Sequence, residues 1–376
     1  MGMTDVVIVG GGVVGLSIAY ELAGQGVAVR VLEQGHVGRE ASWAGAGILP
    51  PGNLAGATTP EARLRAHSHS LWPEWTESLC ESTGIDNGYR NCGGLEIQHQ
   101  EHASQLDSEI QCWRDEGVAV EWLTMSQLTE ISPAVASHEV VAAHLPELCQ
   151  VRNPRHLKAL QAACATRDVD IIEGEPVVDF EGDGERITSV RTSMSTYTAG
   201  RFCIASGAWS RPLLMQAGCE SPLEPVRGQI VLLNAQPLPF GQIIQSGPRY
   251  LVPRPDGRIL IGSTEEHVGF DKRNTAAAVA ELIDFAVSLV PALAEATYER
   301  SWAGLRPCTP DGLPYLGQVP ETRNLFVAAG HFRAGLQMSP ATAVLMREVL
   351  LEQPTTISLD GLACDRLRSS TADIGS

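Results

Sequence analysis

Lysine is nearly absent from this chain: Lys158 and Lys272 are the only two among 27 basic residues in 376. Schiff-base chemistry therefore has few candidates. Basic runs are lacking too, and 44 acidic residues leave a formal net charge of −17. Such a chain is a poor partner for nucleic acid or an anionic membrane surface, and any anion it binds needs locally placed arginines. The nine cysteines are an odd number, and none are paired at CxxC spacing. That argues against a disulfide framework or a zinc site and for reduced thiols. His67 and His69, like His99 and His102, have no third ligand nearby in sequence, so no metal is expected. Apolar runs stay short of the roughly 18 residues that span a bilayer. The start, Met1-Gly2-Met3-Thr4-Asp5, has no basic segment, and Val6 stands where a myristoylation motif needs Ser or Thr. Repeats and low-complexity blocks are missing as well. These absences predict a soluble, cytoplasmic protein. With 44% hydrophobic and 19% charged residues, the length suffices for a buried core and two or three domains.

What is present begins at Val6-Val7-Ile8-Val9, a β-branched run expected of a buried parallel strand. Three glycines follow, then helical composition from Val13 to Ala23, then a second β-branched run that closes on Glu33. This is a βαβ unit. Gly10-Gly11-Gly12-Val13-Val14-Gly15 fits GxGxxG, with the acid Glu33 placed 18 residues after Gly15. Gly10 allows the tight turn, Gly12 lets a pyrophosphate approach the backbone, and Gly15 lets the helix pack on the strand. The helix N-terminus offers free N–H groups to phosphates, and Glu33 can accept hydrogen bonds from a ribose diol. The fingerprint does not separate NAD from FAD. Two later strands, Arg201 to Ser206 before Gly207 and Leu325 to Ala329 before Gly330, suggest a domain that returns to its cofactor far along the chain. This resembles the flavin disulfide-reductase-like and D-amino-acid-oxidase-like proteins, and that resemblance favours FAD. Elsewhere the pattern predicts helices over 61–83, 101–117, 153–167, 208–218, 275–290 and 340–351. It predicts strands over 93–98, 118–123, 169–173, 229–233, 250–253 and 258–262, and a hairpin over 177–191. Residues 35–60 read as a loop or short helix, and the tail from Ser369 is expected to fray.

Three blocks carry a resemblance: SWAGLRPCTPDGLPYLG over 301–317, GHFRAGLQMSPAT over 330–342, and Tyr250-Leu251-Val252-Pro253-Arg254. They resemble the glycine oxidase branch of the D-amino-acid oxidase family, the thiamine-biosynthesis type, and the likeness runs over essentially the whole chain, weakest in 60–150. It implies an α/β fold with a discontinuous Rossmann-like FAD-binding domain (1–88, 148–225 and 299–376). A smaller α+β substrate domain on a mainly antiparallel sheet takes 89–147 and 226–298. It implies oxidative deamination of glycine or another small amino acid or amine. A hydride passes from the amine-bearing carbon to flavin N5, and dioxygen reoxidises the flavin to give hydrogen peroxide. A homo-oligomer such as a tetramer is implied too. Such chemistry needs orientation more than a strong base. Arg306 would pin the substrate carboxylate through a bidentate pair, Tyr250 would assist there, and Arg333 would lie near flavin and substrate. For the cofactor, Val13 and Val14 fall at the pyrophosphate turn, Glu33 and Gln34 by the adenosine ribose, and Ala41 and Ser42 at the next contact. Ala46, Gly47 and Ile48 pass the flavin ring, Val177 meets the adenine, and Gly207 closes a cofactor-facing strand. His331, Phe332, Arg333, Ala334, Gly335, Leu336 and Gln337 form the loop over the isoalloxazine. A helix cap is the other reading of Ser42.

Some positions depart from the family. Glu265, grouped with the substrate-binding residues, stands where some glycine oxidases have an apolar residue, and Pro248 where a histidine occurs. Cys308 lies near the segment where monomeric sarcosine oxidases attach flavin, but aligning Thr309-Pro310-Asp311 puts that cysteine on Gly304, so FAD is expected to be noncovalent. Rival readings are a D-amino-acid dehydrogenase feeding a quinone, a sarcosine or β-amino-acid oxidase, and a flavin-binding subunit without activity.

Overall fold

The structure, a computed structural model, describes residues 4–136 and 139–367; the tail expected to fray from Ser369 lies outside them. Val6–Val9 is buried at all four positions, as a central parallel strand requires. It pairs in parallel with Val29–Leu32 on one side and Arg201–Ile204 on the other. Asp170–Ile172 and Leu325–Ala329 extend the sheet in parallel, and Tyr315–Gln318 closes one edge antiparallel. Strand alternation divides the core in two. Val6 and Ile8 meet the helices Val13–Ala23, Pro60–Thr83, Asn153–Thr166 and Ser339–Leu350, through side chains such as Leu16, Leu64, Leu160 and Leu345. Val7 and Val9 look the other way, into a cluster with Val190, Phe202 and Leu214. A three-stranded sheet over 177–198, which contains the expected hairpin, covers that side. The long helix starts where Thr59 accepts the Ala62 N–H ahead of Pro60, and it stops at Gly84, with φ +70°.

A second sheet has eight strands. Their order is Thr297–Cys308, Glu224–Asn234, Arg258–Gly262, Arg249–Pro253, Ile243–Ser246, Gly94–His99, Val140–Leu145, Glu121–Leu123. Neighbours run antiparallel except Ile243–Ser246 beside Gly94–His99. One face packs Val231, Ile259 and Ile261 on Leu282 and Ala286 of the Ala276–Leu289 helix. The opposite face meets Leu106 and Ile110 of Ala103–Asp115, and also Ala46.

Several elements differ from the sequence pattern. The strands Val140–Leu145 and Thr297–Cys308 and the helix Met125–Ile131 have no counterpart in it. The strand expected over 118–123 shrinks to Glu121–Leu123, and residues 35–60 hold a one-turn helix, Ala41–Ala44, and a short strand, Ile48–Leu49. Thr297–Cys308 hides its strand character because Arg300, Gly304, Arg306 and Pro307 break the alternation. Pairing along its length with Glu224–Asn234 supplies what propensity does not. The expected boundary at residue 299 falls inside this strand. Among the described residues no helix is long and apolar enough to cross a membrane, and the nine cysteines are free.

Candidate active site

The ends of Val6–Val9, Val29–Leu32 and Arg201–Ile204 open on a cavity of about 960 Å³ that continues to the eight-stranded sheet. That is the upper end of the range for small-molecule and cofactor sites. At one end lies the glycine turn. Gly10 has φ +113°, and a Cβ there would stand 2.5 Å from the Ala205 carbonyl oxygen. Gly15 is absent from the cavity wall and acts behind it: its Cβ would stand 2.0 Å from the Gly10 carbonyl oxygen, so only glycine lets helix and strand meet. Glu33 borders the cavity and also ties the turn, its two oxygens accepting the Gly11 N–H at 2.8 Å and the Gly35 N–H at 2.9 Å. Ser42 does act as a cap, though of another helix than its own. Its hydroxyl accepts the Val13 N–H at 2.9 Å, at the N-terminus of Val13–Ala23.

The middle of the cavity is bordered by Ala46, Gly47 and Ile48 and by the loop 331–337. The Ala46 carbonyl accepts from Arg254 Nη2 at 2.7 Å, and Arg254 also donates to Gln150 Oε1 (2.6 Å) and the Val151 carbonyl (3.1 Å). Burial pushes the Arg254 guanidinium down to about 10. The loop is held from behind: Trp72 Nε1 donates to the Gln337 carbonyl at 2.9 Å, and His331 Nε2 lies 3.0 Å from Thr342 Oγ1. Burial pushes the His331 imidazole down to about 4, so it is neutral at ordinary pH. Among the described residues three on the wall carry buried atoms without a hydrogen-bond partner, Gln337 Nε2, Asn153 Oδ1 and Gln245 Oε1. Gly12, Val13, Val14, Gln34, Ala41, Ser42, Val177, Gly207, Phe332, Ala334, Gly335 and Leu336, all expected at the cofactor from the sequence, line the same cavity.

At the far end stands Arg306. Its guanidinium donates to Ser263 Oγ at 2.7 Å and to the Thr264 carbonyl at 3.1 Å. Gly228 makes room, since a Cβ there would meet Arg306 Nη2 at 2.1 Å. Tyr250 lies beside Arg306, over Gly262, whose Cβ would stand 2.7 Å from the Tyr250 hydroxyl. Burial lowers the Arg306 pKa from its ordinary value, but the group stays charged. Among the described residues no carboxylate reaches ion-pair distance of it. Arg333 also borders the cavity, but it is paired with Glu265. Glu265, expected among the substrate-binding residues, is not on the wall itself and meets the cavity through its partner Arg333. Gly304 passes so close that its Cβ would stand 2.6 Å from Ala44 Cβ, and the Cys308 thiol turns to the Thr309 carbonyl at 3.4 Å. Among the described residues no group of three His, Cys, Asp or Glu is placed to hold a metal ion.

Sequence reasoning left Ser263, Thr264, Gly228, Gly262 and Asn153 without roles. The two glycines carried a signal, because glycine inside a strand marks a close approach. The polar three carried none.

A glycine turn with no room for a Cβ, a helix N-terminus behind it and orphaned polar atoms along the wall fit a dinucleotide such as FAD. Residues 5–349 match the family described as FAD dependent oxidoreductase. The chain belongs to that family, and FAD is its cofactor. Within it, the chain is 37% identical over 359 residues to the glycine oxidase of Geobacillus kaustophilus (strain HTA426), covering 94% of this chain and 95% of that one. It is 38% identical to the glycine oxidase of Pseudomonas putida (strain KT2440), covering 92% and 94%. The bifunctional protein ThiO/ThiG of Trichormus variabilis is 35% identical, over 93% of this chain and 53% of its own length. The crystal structure of the Geobacillus kaustophilus glycine oxidase superposes with a TM-score of 0.93 at 35% identity, covering 97% of this chain and 99% of that one.

Proposed function

We propose that this chain oxidises glycine or another small amino acid or amine to the imine with FAD, passes the electrons to dioxygen, and serves the thiazole branch of thiamine biosynthesis. The observation that carries the reading is Arg306: a charged guanidinium, held by neutral oxygens and open to an anion, beside Tyr250 in the cavity that holds the glycine turn. Bound FAD supplies the hydride acceptor. The chain's own residues do the positioning. Arg306 takes the substrate carboxylate in a bidentate pair, Tyr250 donates to it, and the two fix the Cα–H direction. On this reading 1–88, 148–225 and 299–376 hold the cofactor, 89–147 and 226–298 cover the substrate, and the strand Thr297–Cys308 brings Arg306 from one to the other. The likeness to glycine oxidases and to the ThiO/ThiG protein supports the choice of substrate and pathway. A cytoplasmic homo-oligomer is part of the same proposal.

Purified protein is expected to be yellow and to release hydrogen peroxide with glycine, sarcosine or a D-amino acid. A colourless protein that fails to take up FAD would sink the reading. Flavin that is bleached by substrate but returns slowly in air would move the proposal to another electron acceptor, such as a quinone.

A further inference from the structure

Among the described residues three arginines border the cavity: Arg65, Arg306 and Arg333. Two are neutralised in place. Arg65 is held by Glu61 and Glu116, and Arg333 by Glu265. Arg306 alone of the three is held by neutral oxygens with no carboxylate partner among the described residues. The pairing of Arg333 is built by the segment that also positions Arg306. Arg227 and Glu266 exchange backbone hydrogen bonds of 2.9 and 3.0 Å. The Glu266 carboxylate accepts from Arg227 Nη2 at 2.5 Å, from Gln229 Nε2 at 2.7 Å and from Thr264 Oγ1 at 2.6 Å. Neighbouring residues of an extended chain point to opposite sides. Locking Glu266 inward therefore turns Glu265 outward, onto Arg333. Arg306 donates to the carbonyl of Thr264, the residue next to Glu265, and both Arg306 and Arg333 border the cavity, so the three groups belong to one site.

We propose that Glu265 determines substrate specificity: by occupying Arg333 it leaves Arg306 as the one open carboxylate anchor and restricts the enzyme to amino acids with a single carboxylate. The proposal rests on the amino-acid oxidase reading of the site. A substrate with a second carboxylate meets the charge of Glu265 and an Arg333 already engaged in a charge-assisted hydrogen bond. A monocarboxylate such as glycine needs Arg306 alone.

The test compares peroxide release from glycine and from iminodiacetate, which carries a second carboxylate, in wild type, Glu265→Gln, Glu265→Ala and Glu265→Ala/Arg333→Met. The alanine variant matters because a glutamine can go on bonding Arg333. The expected result is at least a tenfold rise in the kcat/KM ratio of iminodiacetate to glycine in Glu265→Ala, chiefly through KM, and its loss in the double variant. The same contrast is read without turnover by titrating the flavin absorbance with acetate and succinate: succinate should gain affinity over acetate only when Glu265 is removed and Arg333 kept. An unchanged ratio in both Glu265 variants, or a gain that survives Arg333→Met, overturns the proposal. A wild type that oxidises no amino acid defeats the underlying reading instead, and the acetate and succinate titrations then still decide whether Glu265 masks Arg333.

Discussion

Arg306 depends on what its neighbours lack. Gly228 has no Cβ to crowd it, and Ser263 and Thr264 offer oxygen without charge. Arg306→Lys keeps the charge but loses the planar fork. One charge-assisted hydrogen bond is worth about 1.5–3 kcal/mol, so kcat/KM for glycine should fall about 10- to 100-fold, chiefly through KM. Steady-state peroxide kinetics check this, and an unchanged KM would remove Arg306 from the carboxylate. Gly228→Ala should push the guanidinium aside and raise KM in the same way, with flavin content kept; equal kinetics would show that the site adapts. Glu96 makes a different prediction. It is the cross-strand neighbour of Gln245, which lines the cavity and in turn pairs with Tyr250. Burial first, and the charge of Glu109 second, push the Glu96 carboxyl up to about 8. A carboxyl raised in the folded state binds more protons there than in the unfolded chain. Its contribution is therefore present below the ordinary value of 4.5 and is lost as pH rises through about 8. Melting curves at pH 6 and pH 9 should show a smaller drop for Glu96→Gln than for wild type.

At the scale of elements, the glycine turn and the strand Thr297–Cys308 do opposite things. The turn is local: strand, Gly10, helix and Glu33 sit within one βαβ unit, and each was legible in the sequence because backbone sterics leave glycine alone at φ +113°. Gly10→Ala should strip the protein of FAD, read as loss of the 450 nm band relative to 280 nm; a full band would mean the Ala205 strand can shift. The strand is non-local. Its residues were legible as a motif, yet its conformation was not, since no alternation marks it. It is a strand because Glu224–Asn234 pairs with it from Glu224↔Cys308 to Asn234↔Thr297. The same limit applies to Ser42, whose hydroxyl caps a helix 29 positions earlier in the chain.

For the whole molecule, the cavity joins the two sheets. Ala46 is gripped by Arg254 from the second sheet's side, and Trp302 Nε1 donates to the Ala44 carbonyl at 3.0 Å. A cofactor bound between them should tie both to one unfolding event. Ligand held at about 1,000 times its Kd adds about 4.1 kcal/mol of stability. FAD removal should therefore lower Tm by several degrees, and adding FAD back should restore it in a concentration-dependent way. A Tm indifferent to FAD would mean the cavity contributes nothing to cohesion. Net charge, −17 over the chain, says little about this interior, where two anionic groups would be met by a helix N-terminus and an arginine.

The sequence by itself determined the nucleotide-binding turn and the family, and it pointed to Arg306, Tyr250 and Arg333, which the structure brings to one cavity. Those features rest on short-range sterics and on contiguous motifs. Only the tertiary structure decided which charges are open. Arg306 and Arg333 look alike in a string of letters, and Glu265 and Glu266 look alike beside them. Their difference arises when the backbone bridge between Arg227 and Glu266 turns one carboxylate inward and the other onto Arg333. Long-range pairing sets that direction, and no local pattern encodes it.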